Sequence, residues 1–143
     1  DILSSMGFNH VVVYQNQVQQ TESTDTKAAA IELMAKAVDL ILFAGGDGTA
    51  RNIYEVVENQ CPVVGVPAGC KIHSGVYAIT PKAAGKVVAQ VIHGELVSLM
   101  SGEVKDIDES EFRAGRVIAK QSGEMLVPDE SSYIQAVQLV GNE

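Results

Sequence analysis

The stretch DLILFAGGDGTARNIYEVVE, residues 39–58, joins an apolar run to an amphipathic run across a cluster of glycines. The run from Leu40 to Ala44 is apolar without alternation, as in a strand that is buried on both faces of a parallel sheet. The run from Ala50 to Glu58 predicts a helix with Ile53, Val56 and Val57 on its inner face. The sequence GGDGT therefore lies between the end of a strand and the start of a helix.

The same order of elements extends to both sides of this junction. The sequence predicts a strand at Val11–Tyr14, a helix from Lys27 to Val38, a strand at Pro62–Val66, and a helix that Thr80 caps and Gly94 closes. Strands that alternate with helices over short connections pair in parallel. We therefore expect an α/β fold, a Rossmann-like open parallel sheet with helices on both faces.

The character of the sequence changes near residue 98. The rest of the chain is mostly polar, with short candidate strands at Arg116–Ala119 and Ile134–Val140. We interpret residues 1–98 as an α/β nucleotide-binding domain and residues 99–143 as the beginning of a second, β-rich domain that is incomplete here. Because the chain begins at Asp1 without a methionine, we expect it to be an N-terminally truncated fragment.

Composition limits the classes of function. The chain has 46% hydrophobic residues, as globular proteins do, and no apolar run approaches the roughly 20 residues of a membrane helix. Its net charge of −8 and the absence of a basic run argue against binding to nucleic acid. A small anionic ligand is still compatible, because oriented backbone N–H groups hold phosphate whatever the net charge. Two cysteines without metal-ligand spacing fit a cytoplasmic protein.

The GGDGT cluster, residues 45–49, has the features of a phosphate site. Ligands of open α/β sheets bind beyond the carboxyl ends of the strands, and a helix that starts there presents free N–H groups and a positive dipole end. Asp47 adds a carboxylate, which suits a phosphotransferase if it orients or deprotonates an acceptor hydroxyl, or if a cation bridges it to phosphate. The structural alternative is a tight turn in which Asp47 caps the helix.

Further candidate ligands lie near this cluster. Arg51 and Asn52 follow in the first turn of the helix, where an arginine can bind phosphate or can simply be solvated. A second loop follows the strand at Pro62–Val66, and its candidates for a phosphate or ribose site are Gly69, Lys71, His73 and Ser74. The alternative for this loop is an ordinary surface connection.

These residues resemble the ATP-NAD kinase family, in its AcoX-type branch. GGDGT is shared by NAD kinases and by diacylglycerol and sphingosine kinases. The longer resemblance runs through LILFAGGDGTARNIYEVV at 40–57, PVVGVPAGCKIHSGVYAITPKAAGKV at 62–87 and EVKDIDESEFRAGRV at 103–117. The combination of GGDGT with the GxPAGxKxHS segment is specific for this branch.

The resemblance implies an α/β domain followed by an all-β domain, with the active site between them. It implies phosphoryl transfer from ATP, with Mg²⁺, to a hydroxyl of a small nucleotide substrate, which in NAD kinases is the ribose 2′-hydroxyl. Asp47 would be the catalytic residue. The nucleotide or phosphate would be bound by Gly45, Gly46, Gly48, Thr49, Arg51 and Asn52, and the substrate by Gly69, Lys71, His73 and Ser74. Enzymes of this type often self-associate, so a homo-oligomer is expected by analogy.

Two departures from the family pattern keep alternatives open. Pro67-Ala68-Gly69 stands where NAD kinases have an N-x-G turn, and Asn52 stands where the branch usually has an aspartate. A lipid kinase of the diacylglycerol type is one alternative. A nucleotide-binding regulatory module that has lost catalysis is another alternative. Because we expect the chain to be truncated at its N-terminus and its second domain to be incomplete, the fragment is also expected to be inactive on its own.

Overall fold

The structure is a computed structural model that describes residues 2–16, 20, 22–68, 72–95, 98–107, 119–129 and 134. After a four-residue helix α1 (Ile2–Ser5), the chain forms helices and strands in the order α2 (Ser23–Ala35), β1 (Ile41–Gly45), α3 (Asp47–Val57), β2 (Val63–Pro67), α4 (Pro81–Ile92), β3 (Leu99–Ile107) and β4 (Ala119–Pro128).

Strands β1 and β2 form a parallel pair connected by α3. Their register runs from Ile41 opposite Val63 to Gly45 opposite Pro67. The other edge of β2 pairs with Tyr77 in a parallel bridge at Gly65. The predicted α/β fold, with a parallel sheet flanked by helices, is confirmed.

Helix boundaries follow local capping chemistry. Helix α4 begins as predicted, because the Thr80 hydroxyl accepts the Ala83 N–H at 3.1 Å and Pro81 occupies the first helical position. Helix α2 begins at Ser23, four residues before the predicted Lys27. Glu22 and Asp25 form a capping box there, in which the Asp25 carboxylate accepts the Glu22 N–H at 2.8 Å.

Two sequence predictions are wrong. Residues Val11–Tyr14 form no strand, and Val11 and Val12 are 80% and 61% exposed. Nothing in the described ranges pairs with this segment as a strand, and β-branched residues favour strands only where neighbours pack against them. Strand β1 also alternates, since Leu42 is 50% exposed between buried Ile41 and Phe43.

Strands β3 and β4 form an antiparallel hairpin with a register shift between Val104 and Lys105. Buried Val104, Met125 and Val127 belong to the same core as the parallel strands. The hairpin packs on α3 so closely that a Cβ at Gly123 would lie 2.2 Å from the Tyr54 ring.

The hairpin was not predicted from the sequence. The candidate strands at 116–119 and 134–140 lie outside the described residues except at Ala119 and Ile134, and the domain boundary at residue 98 stays a prediction. Of the helices that the structure describes, none is both long and apolar enough to cross a membrane.

Candidate active site at the glycine turn

The turn between β1 and α3 requires glycine at its first position. Gly45 has φ +157°, and a Cβ there would lie 2.4 Å from the Thr49 Oγ1 and 2.6 Å from the Thr49 Cβ. Gly46 is the N-cap of α3 in an extended conformation, and no side chain caps the helix. The turn therefore places the first residues of α3 in close contact with the end of β1.

The carbonyl of Gly46 accepts two hydrogen bonds. One comes from the Ala50 N–H at 3.1 Å, the first bond of α3, and the other comes from the hydroxyl of Tyr77. Tyr77 is fully buried, with its ring edge-on to Phe43 at 5.5 Å. Burial and the nearby charge of Asp47 raise the pKa of Tyr77, so its hydroxyl stays protonated and donates.

The carboxylate of Asp47 is buried and binds the loop that follows β2. Its Oδ1 accepts the N–H groups of His73 at 3.1 Å and of Ser74 at 3.0 Å, and its Oδ2 accepts the His73 N–H at 2.9 Å. Asp47 therefore holds a second loop in place instead of capping its own helix. An ionised carboxylate has about four acceptor positions, so Oδ2 keeps one for a substrate atom.

The loop that Asp47 binds is itself tied to the hairpin. The Ser74 hydroxyl donates to the Lys105 carbonyl at 3.1 Å and accepts the Lys105 N–H at 2.8 Å. The Gly75 N–H donates to the Glu103 carbonyl at 2.8 Å. A chain of hydrogen bonds therefore runs from the glycine turn through residues 73–75 to β3.

The structure brings some of the predicted site residues together and separates others. Asp47, His73 and Ser74 meet directly. Gly48 is exposed, and a Cβ there would have nothing within 4 Å, so open space adjoins the start of α3. The side chain of His73 carries a buried Nε2 that has no hydrogen-bond partner among the described residues. Gly69 and Lys71 lie outside the described residues.

Arg51 and Asn52 lie on the first turns of α3, where Arg51 is exposed and Asn52 is half-buried. The pKa of Glu55 is lowered, first by its hydrogen bond from Lys27 and, more weakly, by the charge of Arg51. The guanidinium of Arg51 therefore acts on a carboxylate one turn further along its own helix. This interaction does not test whether Arg51 binds phosphate, and that role stays a prediction.

Two participants were missed by the sequence analysis. The Tyr77 hydroxyl and the Lys105 backbone both support the turn. Both residues lie within the segments that carry the family resemblance, yet neither is among the predicted site residues. A signal existed for Tyr77, because the valine and tyrosine of residues 75–78 favour a strand and the sheet of β1 and β2 is extended there. The role of Lys105 has no local signal, since its contacts are made by backbone atoms.

The described residues contain no group of three or more metal-binding side chains. Magnesium usually keeps several waters and binds through one or two carboxylates and the phosphates of its substrate, so it needs no cage of protein ligands. The one free acceptor position on Asp47 can serve such an ion or an acceptor hydroxyl, but not both at once. The residues present are thus compatible with magnesium that arrives with ATP.

Residues 2–96 match the family model described as the ATP-NAD kinase N-terminal domain. The match covers well over half of the chain and includes the glycine turn, α3 and the loop that binds Asp47. No curated protein and no solved structure is significantly similar to the chain.

Proposed function

The chain belongs to the ATP-NAD kinase family, and on that basis we propose that it is part of a kinase that phosphorylates the ribose 2′-hydroxyl of NAD with ATP. Membership of the family supports phosphotransfer in general. One observation supports this site: the Asp47 carboxylate, at the start of α3, accepts three hydrogen bonds from two N–H groups, those of His73 and Ser74, which leaves one acceptor position on Oδ2.

The start of α3 supplies the phosphate-binding side of the proposed site. The first N–H groups of a helix have no partner within the helix, and the helix dipole favours an anion at that end. The open space beside Gly48 leaves room for phosphate oxygens to approach these N–H groups. We assign donor binding to this turn, that is, to Gly45, Gly46, Gly48 and Thr49, with Arg51 and Asn52 on the adjoining helix.

Asp47 would act on the acceptor. Its free acceptor position can take a hydrogen bond from the 2′-hydroxyl and align that oxygen with the γ-phosphorus of ATP. A bond then forms between the hydroxyl oxygen and phosphorus, the bond to the leaving ADP oxygen breaks, and the hydroxyl proton passes to solvent. In a loose transition state, alignment contributes more than early proton removal. When bound with ATP, magnesium would supply positive charge that offsets the charge of the phosphates.

The loop after β2 would contribute to acceptor binding. The buried, unpartnered Nε2 of His73 can bond to a polar group of a substrate that reaches it, and Gly69 and Lys71, which precede His73 in the sequence, stay predicted ligands. The hydroxyl of Ser74 is already bonded twice to the Lys105 backbone, so its contribution is to hold the loop.

A second candidate is a nucleotide-binding regulatory module without catalysis. The observation that favours it is the same set of hydrogen bonds, because a carboxylate that holds the loop after β2 has a structural task even when no reaction takes place. This candidate predicts that ATP binds and that no acceptor is phosphorylated.

The test uses the protein in its complete form, incubated with ATP, Mg²⁺ and NAD, with NADP measured by mass spectrometry. Asp47→Asn is compared with Asp39→Asn, which makes the same chemical change at an exposed position. We expect NADP from the wild type and from Asp39→Asn, and a loss of at least a hundredfold in Asp47→Asn at a temperature where all three are folded. ATP protection against heat without any NADP would refute NAD phosphorylation and leave a kinase with another acceptor or the regulatory module.

A further inference from the structure

Tyr77 is the buried polar group that the proposed reaction leaves without a task. Its hydroxyl donates to the Gly46 carbonyl, which belongs to the peptide bond between Gly46 and Asp47. No cis peptide bond occurs in the described residues, so the Asp47 N–H points away from that carbonyl. The direction in which the Gly46 carbonyl is held therefore decides where the Asp47 N–H and backbone point.

The ring of Tyr77 has little freedom to move. It is fully buried, packs edge-on against Phe43, and occupies the space that a side chain at Gly65 would need, since a Cβ there would lie 2.5 Å from its Cδ1. A hydroxyl on a ring held by two strands is a fixed donor. The Gly46 carbonyl also accepts the first N–H of α3, so the start of the helix is bonded to the sheet through one oxygen.

We propose that Tyr77 is a positioning residue that acts through Asp47, holding the Gly46–Asp47 peptide so that the carboxylate meets the loop at His73 and Ser74 and faces the acceptor. The inference rests on the proposed function for its catalytic part. Its structural part, the alignment of Asp47 with the two N–H groups, can be tested without any reaction.

The variant Tyr77→Phe removes the hydroxyl and keeps the ring, so the packing against Phe43 and Gly65 is preserved. Tyr54→Phe is the matched control, because Tyr54 lies on α3 about two turns beyond the glycine turn and makes its contact with the hairpin at Gly123. The first readout is hydrogen exchange of the His73 and Ser74 amides by NMR. We expect about fivefold faster exchange in Tyr77→Phe, the loss of one ordinary hydrogen bond, and unchanged exchange in Tyr54→Phe.

The second readout is steady-state kinetics of the complete protein. We expect kcat to fall about fivefold in Tyr77→Phe, with both KM values within about twofold of wild type. In an Asp47→Asn background the same change should reduce kcat less than about twofold, because the residue through which Tyr77 acts is already altered.

Either of two results would overturn the proposal. One is unchanged exchange of the His73 and Ser74 amides in Tyr77→Phe, and the other is a kcat loss that is undiminished in the Asp47→Asn background. Should the protein phosphorylate no acceptor, the proposed function fails while the exchange measurement still decides whether Tyr77 positions Asp47.

Discussion

Replacing Asp47 with asparagine should lower the stability of the fold as well as the rate of any reaction at this site. Asparagine keeps one oxygen, which can still accept the His73 and Ser74 N–H groups at the Oδ1 position. Its amide NH₂ takes the place of Oδ2 and faces the His73 N–H, which lies 2.9 Å from that atom. Turning the amide around does not help, because Oδ1 accepts two of the three bonds.

The magnitude follows from these bonds. The His73 N–H is shared between the two carboxylate oxygens, so asparagine loses one branch of that bond and brings two donors together, which costs about 2 kcal/mol in all. The two remaining bonds each weaken by roughly 0.5 kcal/mol when the acceptor becomes neutral. We expect Asp47→Asn to lower the free energy of unfolding by about 3 kcal/mol, which is about 10 °C in Tm for a chain of this size. The carboxylate is buried, so solvent does not replace the lost bond.

The assay is urea unfolding followed by circular dichroism, with the thermal midpoint as a second measurement. Asp39→Asn is the control and should change the free energy of unfolding by less than about 0.5 kcal/mol, since Asp39 is exposed. A stability of Asp47→Asn equal to that of the control would refute the reasoning, because the carboxylate would then have no structural bonds to lose.

Three further predictions concern the surroundings of the turn. Ser74→Ala should lower the free energy of unfolding by about 2 kcal/mol in urea titrations, because both backbone groups of Lys105 lose their partner; an unchanged midpoint would contradict the bonds at 3.1 and 2.8 Å. Gly65→Ala should lower Tm by several degrees in calorimetry, since its Cβ would meet the rigid Tyr77 ring at 2.5 Å, and a neutral result would exclude that contact. Folding raises the pKa of Tyr77 above the ordinary 10.0, so the folded protein keeps this proton at pH values where the unfolded chain loses it. The contribution of Tyr77 to stability is therefore complete below about pH 10 and is lost as the pH rises above that value. In unfolding titrations between pH 9 and pH 12, the free energy of unfolding should fall less steeply with pH for Tyr77→Phe than for wild type.

The sequence predicted the parts of the fold that depend on neighbouring residues. The presence of β1, of the glycine turn and of α3 follows from the apolar run and the turn chemistry within twenty residues, although α3 begins at Asp47, three residues before the predicted Ala50. Helix α4 follows from its Thr80 cap. The start of α2 was placed late because the capping box uses Glu22, which lies before the apolar pattern begins. The segment at Val11 has the composition of a strand, but none of the described residues pairs with it as a strand requires.

The candidate site was predicted less completely than the fold. Asp47 was identified from its motif, but its bonds to His73 and Ser74 join residues 26 and 27 positions apart. The Ser74 bonds to Lys105 reach a further 31 positions along the chain. Side-chain periodicity carries no information about such pairings, since the donors and acceptors are largely backbone atoms that every residue has.

The same separations set the order in which this site can be assembled. Strand β1, its turn and α3 are close in sequence and need only short loop closures, whereas the Asp47 carboxylate must wait for residues 73–75, and these in turn pair with β3. During synthesis the glycine turn leaves the ribosome well before the hairpin that completes its support. A nascent chain that ends before β3 would therefore contain the GGDGT sequence but lack the β3 contacts that hold the loop bound by Asp47.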